Sequence, residues 1–139
     1  MTITDLLKAG LEHYQRGNLE GAEKKFRQVI LVDNRNIHGL NLLGMICVNT
    51  GRHEEAVHLI TDALKISPTD AQAQGNLGLA YQRMGNLKLA ESCFRKSIEL
   101  GGKNRTIFNS LGNVLRESGR ASEAVQVYES TLKVDGNYP

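Results

Sequence analysis

The chain has 139 residues, and its 17 basic and 15 acidic side chains leave a net charge of +2, which gives no bias towards nucleic acid. Two cysteines, Cys47 and Cys93, are too few and too far apart for a disulfide framework or a zinc site, and no apolar run is long enough to span a membrane. The opening Met1-Thr2-Ile3-Thr4-Asp5 lacks the basic-then-apolar pattern of a signal peptide, so a reducing, cytoplasmic setting is expected.

Thr2 followed by Asp5 has the form of a capping box and predicts a helix almost at once. Leu6, Ala9, Gly10 and His13 recur at spacings of three and four, which marks one helical face, with Leu7 and Leu11 alongside. Gly17-Asn18 interrupts the pattern. A second amphipathic helix follows through Leu19, Ala22, Phe26, Val29 and Ile30, with Glu20, Glu23, Lys24 and Lys25 on its solvated face. Asp33-Asn34-Arg35-Asn36 is a polar turn able to cap the next helix. The pattern then repeats as Leu40, Leu43, Gly44, Cys47 and Gly51, then Ala56, Ile60, Ala63 and Leu64. Pro68 stops it and Thr69 or Asp70 restarts it. A third pass runs through Leu77, Gly78, Tyr81, Gly85, Leu87, Ala90 and Phe94 to Gly101-Gly102. The fourth runs through Phe108, Leu111, Gly112, Leu115, Gly119, Ala124, Tyr128 and Leu132 and closes on Asp135-Gly136-Asn137.

Four columns therefore hold at a 34-residue period without an insertion: Gly10, Gly44, Gly78 and Gly112; Gly17, Gly51, Gly85 and Gly119; Ala22, Ala56, Ala90 and Ala124; Phe26, Ile60, Phe94 and Tyr128. The windows are residues 3–36, 37–70, 71–104 and 105–138, which predicts one repeat domain over 1–139 with a continuous core layer between stacked units. Glycine inside a helix costs about 1 kcal/mol relative to alanine, so the first column needs a packing reason. Close approach of the partner helix supplies one, with the alanines facing the contact and the bulky residues filling the gap beyond. The expected fold is all-α, four antiparallel helix pairs in a stack. Cys47 and Cys93 sit at apolar or helical positions and read as reduced structural thiols.

At these columns the sequence resembles the tetratricopeptide repeat family, whose pattern of Leu-Gly, Tyr, Gly, Ala, Phe and Pro is matched by Leu77, Gly78, Tyr81, Gly85, Ala90 and Phe94, with Pro68 in the second window. The departures are the tryptophan column, filled by Leu6, Leu40, Gln74 and Phe108, and His13 in place of tyrosine. The resemblance implies an α-solenoid with a right-handed superhelical path, whose first helices line a concave groove for a peptide segment or partner protein. Groove places by that resemblance hold Thr4, His38, Gln72 and Thr106; Leu7, Asn41, Gly75 and Asn109; Leu11, Met45, Leu79 and Asn113. Towards the helix ends they hold Tyr14, Gln15, Val48, Asn49, Gln82, Arg83, Arg116 and Glu117, with Asn76 on the border. The candidate binding residues are His38, Asn41, Asn49, Gln72, Asn76, Gln82, Arg83, Asn109, Asn113 and Arg116, on a face that is neutral and polar, apolar near Leu7, Leu11 and Met45, and charged only at Arg83, Arg116 and Glu117; its amides can both donate to and accept from a peptide backbone. The subclass that grips acidic chaperone C-termini uses a cationic clamp; the matching places here are Leu7, Leu11, Leu42, Gln72 and Asn76, so that reading is disfavoured. The asparagine ladder of repeat arrays preceding O-linked N-acetylglucosamine transferases is kept only at Asn76, with Leu42 and Ser110 at the flanking rungs.

No catalytic constellation, metal site or cofactor is expected. His53-Glu54 and His58 are one place too far apart to share a face as zinc ligands, and Gly101-Gly102-Lys103 lacks the rest of a phosphate loop. Asn104-Arg105-Thr106 is a formal glycosylation sequon that reads as incidental, and His13 faces the core by phase. The leading expectation is a non-catalytic interaction module; the alternative is the recognition segment of a larger glycosyl- or sulfotransferase. Val114, Val127 and Val134 are expected to be uncovered in the last repeat, which would favour self-association.

Overall fold

The computed structural model describes residues 1–134, which form helices and no strand. The chain divides into two compact units, Met1–Pro68 and Thr69–Pro139, at the stop expected at Pro68. Unit 1 holds α1 (Ile3–Gln15), α2 (Leu19–Val32), α3 (Ile37–Asn49) and α4 (His53–Ile66). Unit 2 holds α5 (Ala71–Arg83), α6 (Leu87–Glu99), α7 (Arg105–Glu117) and α8 (Ala121–Val134). The closing turn expected at Asp135-Gly136-Asn137 lies outside the described residues.

Short polar side chains start the helices. The capping box is present: Thr2 Oγ1 accepts from the Asp5 amide at 3.1 Å, and the Asp5 carboxylate accepts from the Thr2 amide at 3.1 Å. Asn36 caps α3, Asp70 caps α5 and Asn104 caps α7. The turn inside each repeat reverses the chain with a glycine in the left-handed region, such as Gly85 at φ +82°. Its neighbour Asn86 donates its amide back to the Tyr81 carbonyl at 2.9 Å, closing a Schellman turn.

The mid-helix glycines have the packing reason expected of them, with one difference. An added Cβ at Gly78 would stand 2.6 Å from the Phe94 ring, at Gly112 2.5 Å from the Tyr128 ring and at Gly44 2.6 Å from Ile60; at Gly10 it would strike the Phe26 ring. The bulky residue itself packs directly against the glycine, rather than filling a gap beyond the alanine. Phe94 belongs to a core of Ala90, Ile107, Leu111, Val114, Leu115 and Ala124. Val114, expected to be uncovered, is fully buried there. Val127 is half-buried, and the Val134 side chain lies outside the described set.

Each unit is also riveted by a ring of four charges. In unit 1, Arg27 meets Glu23 at 2.8 Å and Glu55 at 2.9 Å, while Arg52 meets Glu23 at 2.6 Å and Glu55 at 3.8 Å. In unit 2, Arg95 meets Glu91 at 2.9 Å and Glu123 at 3.6 Å, while Arg120 meets Glu91 at 2.5 Å and Glu123 at 2.7 Å. Every member recurs at twice the 34-residue period: Glu23 and Glu91, Arg27 and Arg95, Arg52 and Arg120, Glu55 and Glu123. The true internal period is thus two repeats. The capping residues alternate with it: Asn18 and Asn86 cap α2 and α6 through their side chains, whereas Arg52 precedes α4 without a side-chain cap and is spent on the ring. The Arg52 guanidinium is the main reason that the Glu23 carboxyl is held down to about 2. At Glu91 burial works in the opposite sense, but Arg95 and Arg120 outweigh it and the carboxyl lies below its usual range.

Candidate functional site

The first helices of each unit lie side by side, and one hydrogen bond per unit joins their C-terminal ends. In unit 1, Asn49 Nδ2 on α3 donates to Tyr14 Oη on α1 at 3.3 Å. In unit 2, Gln82 Nε2 on α5 donates to Glu117 Oε1 on α7 at 3.3 Å. Tyr14 and Gln82 are equivalent under the doubled period, as are Asn49 and Glu117, so the same rung is built twice from different chemistry.

On the first helices of unit 1, His38, Asn49, Gln15 and Thr4 are exposed, Leu11 is 40 % exposed, and Leu7 and Met45 are half-buried. Val48 and Asn41 are buried. On the first helices of unit 2, Gln72, Arg83, Arg116 and Thr106 are exposed and Gln82 is half-buried. Asn76 is buried, and its neighbour Gly75 is pressed against Ile107 of α7 rather than open to solvent. Asn109 Oδ1 accepts from the Thr131 hydroxyl at 3.3 Å, and Asn113 Oδ1 accepts from the Tyr128 hydroxyl, so both amides are engaged with α8.

The ten candidate residues therefore separate into two groups. His38 and Asn49 in unit 1, and Gln72, Gln82, Arg83 and Arg116 in unit 2, keep polar atoms at the surface. Asn41, Asn76, Asn109 and Asn113 are buried or half-buried, and helical phase alone did not separate them from the first group. The surface this leaves is less amide-rich than the sequence suggested, and in unit 2 it is cationic. Arg83 and Arg116 flank the Gln82–Glu117 bond from the last turns of α5 and α7, where cations also oppose the negative end of the helix dipole. Unit 1 has Gln15 and Val48 at the equivalent places.

The remaining polar groups are structural in geometry. His13 is half-buried and its Nδ1 accepts from Asn18 Nδ2 at 3.2 Å, which ties the end of α1 to the cap of α2. Cys47 and Cys93 are free and buried, and burial pushes both thiols up to about 11. A thiol so raised is protonated near neutral pH and is a poor nucleophile. His53 opens α4 half-buried while His58 is exposed, and among the described residues no three His, Cys, Asp or Glu side chains gather as a metal site. No described helix is long and apolar enough to cross a membrane.

Comparison with known proteins agrees with this architecture. The profile of the family described as tetratricopeptide repeat matches residues 36–100 and 69–136. Tetratricopeptide repeat protein 7B of Homo sapiens is 28 % identical over 100 residues, covering 72 % of this chain and 12 % of that protein. The N-acetylglucosaminyltransferase SPINDLY of Hordeum vulgare is 29 % identical over 142 residues, covering 97 % of this chain and 15 % of that protein. The chain thus spans a small part of these two relatives' length. Among solved structures, the crystal structure of MamA superposes with a TM-score of 0.85 at 21 % identity, covering 97 % of this chain and 79 % of that one, which places the fold in the same helical-repeat class.

Proposed function

The chain belongs to the tetratricopeptide repeat family, and on that premise we propose that it binds a peptide segment or partner protein on the exposed first-helix faces of its two units. Repeats of this family are protein-interaction modules. The observation that carries the finer reading is the division of the first-helix residues. Those that pack are sealed or bonded internally, while His38, Asn49, Gln72, Arg83 and Arg116 present polar atoms to solvent. A rigid helical scaffold carrying exposed donors of this kind suits an extended segment held through its backbone and acidic side chains. Binding needs no covalent chemistry, no metal and no cofactor.

The test compares the wild type with Gln72→Ala/Arg83→Ala/Arg116→Ala against a displayed library of extended peptides. All three positions are exposed, so the fold should be retained. Loss of the wild-type binders in a folded variant is expected; undiminished binding of the same peptides would overturn the first-helix reading.

A second reading is favoured by the match to SPINDLY, which covers nearly the whole chain and a small part of that transferase. Here the repeats are the substrate-recognition segment of a larger glycosyl- or sulfotransferase. A reading frame that continues from these repeats into a transferase domain would support it, and one without such a domain would remove it. Self-association has its own support in α8, where Val125 and Leu132 are 55 % and 46 % exposed. Light scattering with Val125→Lys tests that contact: a dimer lost in the variant supports it, and a monomer at all concentrations excludes it.

A further inference from the structure

The doubled period lets one surface be compared with its twin in the same chain. Between the second helices of unit 1 lies an open depression of about 230 Å³ lined by Arg27, Ile30, Leu31, Leu43 and Leu59. The equivalent depression in unit 2 is lined by Arg95, Ile98 and Glu99. Glu99 thus stands where unit 1 has Leu31. Its carboxylate lies 3.9 Å from Lys96 Nζ, so the unit 2 rim is ionic. The same two places in unit 1 hold Gln28 and Leu31 and carry no charge.

The consequence is an apolar ledge. Leu31 is 85 % exposed and Val32 is 68 % exposed, side by side on the last turn of α2. Single exposed aliphatic residues need no explanation, but an adjacent pair at the lip of an apolar depression, where the twin surface is charged, marks a contact site. The volume is below the roughly 300–1,000 Å³ of small-molecule sites, which favours one inserted side chain over a ligand. Lys24 and Lys25 precede Leu31 and Val32 by seven residues, about two turns down the same stripes of α2. On the opposite rim Asp62 follows Leu59 by one turn of α4 and is exposed. Lys65 is exposed one turn beyond Asp62, so the α4 rim is mixed while the α2 rim is basic, and the α2 rim is the side that suits a partner's carboxylates.

We infer that this depression is a second docking surface, on the α2–α4 side of unit 1, for an amphipathic helix of a partner protein. The partner inserts one bulky apolar side chain beside Leu31 and Leu59 and sets carboxylates against Lys24 and Lys25. The surface uses none of the first-helix residues proposed above.

The experiment titrates the full chain with a fluorescent amphipathic helical peptide carrying Leu and Phe on one face and Glu on the other. Leu31→Glu gives unit 1 the residue that unit 2 already holds at this place, so circular dichroism should be unchanged. Its affinity should fall about tenfold or more, the size expected for losing one buried leucine contact. Lys24→Glu/Lys25→Glu should also weaken binding, whereas Glu99→Leu alone should add no second site, because unit 2 holds Ser92 and Cys93 where unit 1 holds Lys24 and Lys25. If Leu31→Glu fails to fold, the lysine variant carries the test. Binding that survives Leu31→Glu, equal binding of a peptide with Lys in place of Glu, or no peptide binding overturns the inference. A Leu31-dependent dimer in light scattering would assign the ledge to a second copy instead. Leu31-dependent binding of phosphatidylserine vesicles in the absence of peptide binding would assign it to a lipid surface.

Discussion

Replacing Gly78 with alanine tests the packing rule on which the fold rests. The new methyl carbon would stand 2.6 Å, 2.7 Å and 3.0 Å from three atoms of the Phe94 ring. Unstrained carbon contacts begin near 3.5 Å, so the ring would have to retreat by about 1 Å. Phe94 is fully buried in the core with Leu111 and Leu115, and a flat ring has no flexible end to fold away. Overpacking of this kind costs roughly 1–3 kcal/mol, and the helix propensity gained by leaving glycine returns about 1 kcal/mol. A net loss of up to about 2 kcal/mol is expected, which lowers the melting temperature by up to roughly 8 °C for a chain of this size. Thermal and urea unfolding followed by circular dichroism would measure it. Phe94→Leu in the same chain should recover part of the loss, because the ring atoms that collide are then gone, and the pair should show a favourable coupling. A Gly78→Ala protein more stable than the wild type by about 1 kcal/mol would refute the reasoning, since only the propensity gain would then remain.

The other predictions concern the charge ring and the buried thiols. Arg52→Ala removes contacts to Glu23 and Glu55 that are partly exposed, so the loss in urea unfolding should be about 1 kcal/mol. Arg52→Asn installs the cap that Asn18 and Asn86 already supply and should be closer to neutral; equal losses in the two variants would contradict the exchange of cap for ion pair. Glu23, held at about 2 against an ordinary 4.5, contributes stability that is complete above about pH 4.5 and lost as the pH falls towards 2. The urea midpoint should therefore fall across that window, less steeply in Glu23→Gln, and superimposable profiles would remove the ring's part in acid stability. Both cysteines should resist thiol reagents at neutral pH until urea unfolds the chain, and prompt labelling of the folded protein would show that Cys47 and Cys93 are less enclosed than described.

The fold was legible because its signals are local or strictly periodic. The Gly78 and Ala90 columns and a bulky apolar or aromatic residue at the Phe94 place recur in every window, and the caps at Thr2, Asn36 and Asp70 are short-range chemistry that a sequence shows directly. The detail that was not legible is which partner touches each glycine, since spacing locates a contact but not the atoms in it. The charge ring was visible in principle: Glu23, Arg27, Arg52 and Glu55 return as Glu91, Arg95, Arg120 and Glu123. Reading only the columns shared by all four windows hides it, because the even windows carry Val57 and Val125 where the odd ones carry glutamate. The first-helix face was only partly legible. The family resemblance places Asn41 on that face and Asn76 at its border but says nothing of what encloses them, and the bonds from Thr131 and Tyr128 to Asn109 and Asn113 join residues far apart along the chain. Val114 was misjudged for a related reason, since α8 and the Phe94 core cover it.

The central claim is that the first-helix faces, rather than the second helices, hold the extended peptide. Its most direct measurement is backbone amide NMR of the isotope-labelled chain titrated with the peptide selected from the displayed library. The account predicts shifts concentrated at His38, Asn49, Gln72, Arg83 and Arg116, with the amides of α6 and α8 unmoved. Shifts concentrated on α6 and α8, with those five positions silent, would contradict it.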